Sequence, residues 1–521
     1  MLDAKKVILT LADNTTNTIT DSSRLSTEED YSAAIYSKED LIINGNGTLN
    51  VNAGYRNGIK STDDCIIVSG TLNITSTEDG IIGKDLCGIV AGDININAGS
   101  DGIKSTYDTD TTKGNVIIEG GNITIKASND GIQAENILVI NDGTINIKTN
   151  NGAADTTQTH IDNMDMGRGG FGFNNNKTTT TTDDTSESRK GIKAGNMLII
   201  NDGDITIDSD DDSVHCNSVI YIYGGTINAA TGDDGVHADD LLTVNGGTIN
   251  ITQCYEGLEA DDIVINDGDI SVVSSDDGIN SSDGSITING GNLLINASGD
   301  GLDANGYIVV NGGYIVVLGP TSDGDTAIDY DDSCTINGGT VMAFGSSGML
   351  EIPKGASNGA CIVTAFTSVS GGSKYTLSDS NGNEILSYTP SKAYAAAIVY
   401  SDKITTGNTY NITAGSTTLS IEVTSDVTSN VSSGLGKAGG MNMPGNGGSG
   451  MPNNGSSDNG MNGNSNGSMP DMSGNGAPDM NGNSSGDMPS MGGNSSNNGG
   501  NMPNMNNGSS NGSAPQMNNR M

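Results

Sequence analysis

Residues 224–313 repeat one pattern four times, at about 22 residues per copy. They read GGTINAATGDDGVHADDLLTVN, GGTINITQCYEGLEADDIVIN, DGDISVVSSDDGINSSDGSITIN and GGNLLINASGDGLDANGYIVVN, closed by Gly312-Gly313. Each copy opens on Gly-Gly or Asp-Gly and runs into alternating apolar residues. An acidic turn follows, then a short apolar piece, a second alternating run and an asparagine. A short fixed period is the mark of a solenoid. Alternating β-branched residues without helical spacing make it a parallel β-helix. Parallel crossovers take the right hand. The expected fold is therefore all-β: a right-handed parallel β-helix with about 22 residues per coil.

The columns say which side is core. Ile220 and Ile222, Leu242 and Val244, Ile263 and Ile265, Ile286 and Ile288, and Ile308 and Val310 lie four and two places before a glycine pair. Polar residues alternate with them, so one face is buried and the other wet. Asn141, Asn201, Asn245, Asn266, Asn289, Asn311 and Asn337 precede the pairs and predict an asparagine ladder at one corner. Asn tolerates the left-handed backbone such a corner needs. Cys65, Cys87 and Cys334 share the inward column of Ile220, which reads as buried apolar thiols. A Cys65–Cys87 disulfide stays open, although the torsion is awkward between in-register neighbours.

Coil starts fall near residues 46, 69, 91, 120, 142, 202, 224, 246, 267, 290, 312 and 338, which places the β-helix at 1–349. An aperiodic Gly, Asn and Thr-rich insertion at 153–189 reads as a mobile loop at one corner. Residues 350–427 read as short strands forming a small C-terminal β cap. Residues 428–521, rich in Met, Asn, Gly, Ser and Pro, read as a disordered tail. Its thioethers would suit Cu(I), but a flexible spacer fits the composition better. The opening MLDAKKVILTLADN already alternates like mid-solenoid strand, so a leader and earlier coils are expected to precede it.

Charge narrows the partners. Lys+Arg 22 against Asp+Glu 63 gives a net charge of −41 at pH 7. There is no basic footprint for nucleic acid, and no apolar run long enough to span a membrane as a helix. The balance favours cations and metal-bridged ligands. With Trp 0 and Phe 4, a flat aromatic platform for sugar stacking is not expected.

Two columns carry the candidate chemistry. The first is the acidic turn. Asp211, Asp212, Asp233, Asp234, Glu256, Asp276, Asp277 and Asp300 recur as stacked acids, several of them paired. Carboxylates one strand spacing apart repel unless neutralised. Calcium takes six to eight oxygens and is the expected ion; a row of solvated Asp-Gly turns is the other reading. The second column lies two residues after the turn glycine and alternates with inward apolar residues. It holds Lys60, Lys104, Gln133, Lys193, His215, His237, Glu259, Asn280 and Asp303. Such a track suits a linear polymer, and Lys104, Lys193, His215 and His237 are its candidate carbohydrate contacts. Lyase chemistry would need a basic residue beside calcium, from Arg56, Arg168, Arg189, Lys104 or Lys193. No pair among the many carboxylates stands out for glycoside hydrolysis.

The segments SAAIYSKEDLIINGNGTLNV, TEDGIIGKD, SDGIKS, NDGIQAENILVINDGTINI and DDGVHADDLLTVNGGTINI, with KYTLSDSNGNEILSYTPSKAYAAAIVYS and the Gly/Met-rich tail, carry a resemblance. Over about residues 1–425 the chain resembles the calcium-containing carbohydrate-binding β-helix proteins of anaerobic plant-fibre-degrading bacteria, which look like pectate lyases. The resemblance implies a secreted or cell-surface protein, expected as a monomer. It implies binding of acidic polysaccharide such as pectin or polygalacturonate, with cellulose as a second polymer. Calcium is implied, and lyase activity is not established for the family. A polysaccharide lyase or hydrolase, or a structural adhesin with a protein ligand, are the alternatives.

Overall fold

The structure is a computed structural model that describes residues 4–22, 31–154 and 188–431. The chain divides into two units, Met1–Asn442 and Met443–Met521. The second unit, nearly all of the 428–521 tail and most of the 153–189 insertion lie outside the described residues.

The first unit is an all-β parallel solenoid of about 13 turns, spaced roughly 22 residues apart. A complete coil has three strands. One coil uses Ile132–Ala134, Ile137–Ile140 and Thr144–Thr149. The next uses Ile192–Ala194, Met197–Ile200 and Asp204–Ser209. Equivalent residues stack in parallel register: Ile132 on Ile192, Leu138 on Leu198, Ile145 on Ile205. The alternation seen in the sequence is the alternation of burial. Leu138, Ile140, Leu198, Ile200, Ile220, Ile222, Ile263 and Ile265 are all fully buried. Aliphatic residues fill one continuous core, because each coil buries its inward face only against its neighbours. Cys65 and Cys87 pair in register within that core, and both are free thiols.

Two kinds of glycine shape each coil, for different reasons. The second glycine of each pair takes positive φ, as at Gly225 (81°), Gly247 (89°) and Gly268 (127°). The left-handed step therefore falls on glycine and not on the asparagine before it, correcting the sequence expectation. The asparagines still form the ladder. Nδ2 donates to the Oδ1 one coil below at 2.7 Å for Asn201 on Asn141, 2.9 Å for Asn266 on Asn245 and 2.8 Å for Asn311 on Asn289. The glycines of the acidic turns, such as Gly235, Gly257, Gly278 and Gly301, have no positive φ. They are glycine because the backbone runs against the opposite sheet. A Cβ on Gly235 would sit 2.5 Å from the Gly257 carbonyl oxygen and overlap Ile251 Cδ1. Gly235→Ala is expected to destabilise the solenoid by ~1–3 kcal/mol or more, because a packed core resists added volume. A thermal melt unchanged from the parent would remove this packing argument.

At the C-terminal end, Tyr394–Ser401 pairs antiparallel with the last solenoid strand, Thr340–Gly345, and then with Ala360–Val369. A four-stranded antiparallel sheet follows, built from Glu384–Tyr388, Tyr375–Asp379, Thr409–Ala414 and Thr417–Glu422. A second core cluster forms here. Phe344 meets Tyr375 and Tyr394 at ring-centroid distances of 5.4 and 5.2 Å. This cap covers the open edge that a parallel stack would otherwise present.

Candidate functional site

The acidic column lies immediately before the stacked glycines. Its first role is visible in the backbone: the aspartates of the column accept the N–H of the equivalent residue one coil on. Asp101 donates to Asp79 Oδ1 at 3.1 Å, Asp130 to Asp101 at 3.0 Å and Lys190 to Asp130 at 2.8 Å. Asp234 donates to Asp212 at 3.1 Å, Glu256 to Asp234 at 3.1 Å and Asp300 to Asp277 at 2.6 Å. An N–H that would be orphaned at the corner is satisfied by a charge-assisted bond. One oxygen of each accepting aspartate is used this way, which leaves the second to face other groups.

Those second oxygens meet different company along the axis. Lys190 stands in the acid column itself and was missed as a functional residue in the sequence. Its Nζ reaches Asp211 Oδ1 at 2.8 Å and Asp212 Oδ2 at 2.6 Å. Burial alone would lower Lys190, but these two acids hold it well above its ordinary value. Asp212, though buried, is held well below the usual carboxylate range by Lys190 and His215. The Asp211–Asp212 pair therefore has an internal cation.

Farther along, no lysine takes this place. Among the described residues no lysine or arginine ion pair reaches Glu256, Asp277 or Asp300. Burial, then Glu259 and Asp234, pushes Glu256 up to about 9. Burial, then Asp276 and Asp303, pushes Asp277 up to about 8. Asp300 and Asp233 are likewise raised to about 8, chiefly by burial. Oxygens of Asp277, Asp300 and Asp303 all lie within 4.8 Å of one another. Oδ1 atoms of Asp276 and Asp277 converge where a Cβ on Gly299 would be, so only glycine leaves that cradle open.

The outward column stacks in register, as Lys193 on His215, His215 on His237, His237 on Glu259 and Glu259 on Asn280. It is interrupted between Lys60 and Lys104 by Ile82, a buried residue that the sequence column had skipped. Nor is it a free solvated row. Lys104 Nζ is 2.5 Å from Asp101 Oδ2, and Lys193 Nζ is 3.1 Å from Ser188 Oγ. His215 is buried and bonds Asp212 Oδ2 at 2.8 Å and Asn217 Oδ1 at 2.9 Å. His237 lies edge-on to it, with ring centroids 4.9 Å apart. His237 Nδ1 is 3.4 Å from Asp234 Oδ2, 3.3 Å from Glu259 Oε2 and 3.7 Å from Asp212 Oδ2. Burial opposes its charge, but Asp234, Asp212 and Glu259 raise it to about 10. The register slips between Ala238 and Leu241, next to His237. A second slip, between Ile251 and Cys254, sets Gln253 Nε2 2.7 Å from the Ala153 carbonyl at the root of the insertion. Such bulges re-aim side chains beside sites.

The arginines considered for lyase chemistry stand elsewhere. Arg189 Nη1 is 2.8 Å from the fully buried Asp210, and Arg56 is 3.7 Å from Glu78. Arg168 lies outside the described residues.

Comparison with known proteins bears on this face. A family model described as carbohydrate-binding domain-containing protein matches residues 1–235 and again 233–469. A carbohydrate-binding domain-containing protein of Acetivibrio thermocellus is 39% identical over 75 residues, 14% of this chain. The match spans 26% of that relative's length. No solved structure matches. With two successive matches that together span most of its length, the chain belongs to the carbohydrate-binding domain-containing protein family.

Proposed function

We propose that the chain binds an acidic polysaccharide of the polygalacturonate type along the solenoid axis, with calcium bridging protein and sugar carboxylates, outside the cell or at its surface. The observation that carries this is the crowding of Asp276, Asp277, Asp300 and Asp303. Its donors are all oxygens: Asp276 and Asp277 converge over Gly299, and Asp277, Asp300 and Asp303 lie within the reach of one ion. An all-oxygen, flexible set of carboxylates is what calcium takes. Asp211, Asp212, Asp233, Asp234 and Glu256 continue the same column, with Lys190 supplying the charge at Asp211 and Asp212. Lys193, His215 and His237 stand in register beside it, about 4.8 Å apart per coil, which suits a linear polymer. Lys104 is offset from them by Gln133 and sits on Asp101.

The test is binding of polygalacturonate, cellulose and a neutral glucan to the full chain, with calcium and with a chelator. Polygalacturonate binding is expected to fall at least about tenfold in chelator, and also in Asp300→Asn with calcium present. Equal binding in chelator would remove calcium from the reading. Binding of the neutral polymers alone would remove the acidic ligand, and binding of none would favour an adhesin with a protein partner. Release of unsaturated uronides from polygalacturonate would convert the binder into a lyase.

A further inference from the structure

We propose that Asp234, His237 and Glu259 form a second, chemically different metal site, one that takes zinc or a similar first-row transition metal. The inference does not rest on the calcium reading. The site is set apart by its donor set. Farther along the column, at Asp277, Asp300 and Asp303, the converging groups are oxygens, which suit hard cations; here, as at the adjoining Asp212, His215 and His237, imidazole nitrogen joins them, and nitrogen ligands move selectivity towards zinc, copper or nickel.

The distances fit a coordination shell. His237 Nδ1 is 3.4 Å from Asp234 Oδ2 and 3.3 Å from Glu259 Oε2. These are long for N–H···O bonds, which centre near 2.9–3.0 Å. Neighbouring His215 meets its own acid at 2.8 Å, an ordinary hydrogen bond. Zinc–nitrogen and zinc–oxygen bonds of about 2.0–2.2 Å place tetrahedral ligands about 3.3–3.5 Å from each other. All three ligand atoms lie within 4.8 Å of one another. The buried Asp212 Oδ2, 3.7 Å from His237 Nδ1, stands behind the trio. On the other side of the ring, Asp239 Oδ1 lies 3.7 Å from Nε2, beyond hydrogen-bond reach. Side chains of His237 and Glu259 are 26% and 20% exposed, so an ion can enter and a fourth position can face solvent. Asp234 and His237 belong to one coil and Glu259 to the next, so the ion would clamp consecutive coils at the point where the register slips.

The competing account is that His237 serves only as a protonated cation among three carboxylates. Zinc titration of the chelator-stripped full chain separates the two. One zinc per chain is expected, not displaced by a hundredfold excess of calcium, with affinity falling at least about tenfold in His237→Gln. Cobalt(II) in the unmodified chain is expected to give the intense visible absorption of a four- or five-coordinate site, which needs no variant to fold. In Glu259→Gln that absorption should weaken. The proposal is overturned if zinc binds no more tightly than calcium or if His237→Gln keeps the zinc. It is equally overturned if cobalt gives only the weak spectrum of six oxygen ligands.

Discussion

Ile265→Asp is expected to abolish folding of the central coils, at a cost of ~4–5 kcal/mol or more. Ile265 is fully buried, with Val244 stacked below it and Ile288 above. A carboxylate there would enter an aliphatic ladder that offers neither a cation nor a hydrogen-bond donor. It must then stay protonated or draw water into the core. Because each coil is held mainly by its two neighbours, the damage spreads along the axis instead of being absorbed locally. Val264→Thr is the control. Val264 points the other way, between Thr243 and Thr287, and the substitution is expected to change stability by no more than about 0.5 kcal/mol. Circular dichroism and thermal melts of the two variants check this. A parental melt for Ile265→Asp would show that the inward face had been assigned to the wrong residues.

That contrast also marks what the sequence makes legible. A period-2 alternation repeated every 22 or so residues fixes which side chains stack and which face is dry, so the columns of Ile220, Asn141 and Cys65 could be read directly. Stacking says less about where polar side chains bend. Lys190 looks like an exception in an acidic column; in space its ammonium lies on Asp211 and Asp212. The Asp of an acidic turn reads as a turn residue, yet it also receives the next coil's amide, and the glycine after it, as at Gly235, answers a close approach to the opposite sheet. His237 appears as one more member of an outward track; only the side-chain positions of Asp234 and Glu259 show two carboxylates gathered at its Nδ1, beside a register slip. Gly299 carried no signal at all, since its role is to leave room for two carboxylates from the preceding coil.

The crowded, buried acids make stability fall as pH rises. Glu256 is raised to about 9, and Asp233, Glu259, Asp277 and Asp300 to about 8, so the folded chain holds protons that the unfolded chain has already lost by about pH 5. Where the native state binds more protons, stability falls as pH rises. The loss therefore runs from about pH 4–5 up to about pH 8–9. His237 adds to it: raised from 6.5 to about 10, its contribution is complete below 6.5 and disappears as pH climbs through 10. Asp212 works the other way, since its depressed value gives stability present above the normal carboxylate range and lost in strong acid. One pKa unit is worth about 1.4 kcal/mol. Even at roughly one unit per group, five carboxylates amount to several kcal/mol, or ~5–10 °C in melting temperature between pH 5 and pH 8.5 in chelator. A divalent ion replaces the protons as the source of positive charge, and it stabilises only the state that binds it. Calcium is therefore expected to raise the melting temperature little at pH 5 and by most of the lost interval at pH 8.5, beyond what sodium at equal ionic strength achieves. Calorimetry at the two pH values, with chelator and with calcium, measures both arms. A melting temperature that does not fall with pH in chelator would mean that solvent relaxes the column and that its acids ionise freely. A fall that calcium leaves untouched would mean that the crowded carboxylates are real but their spacing does not hold that ion.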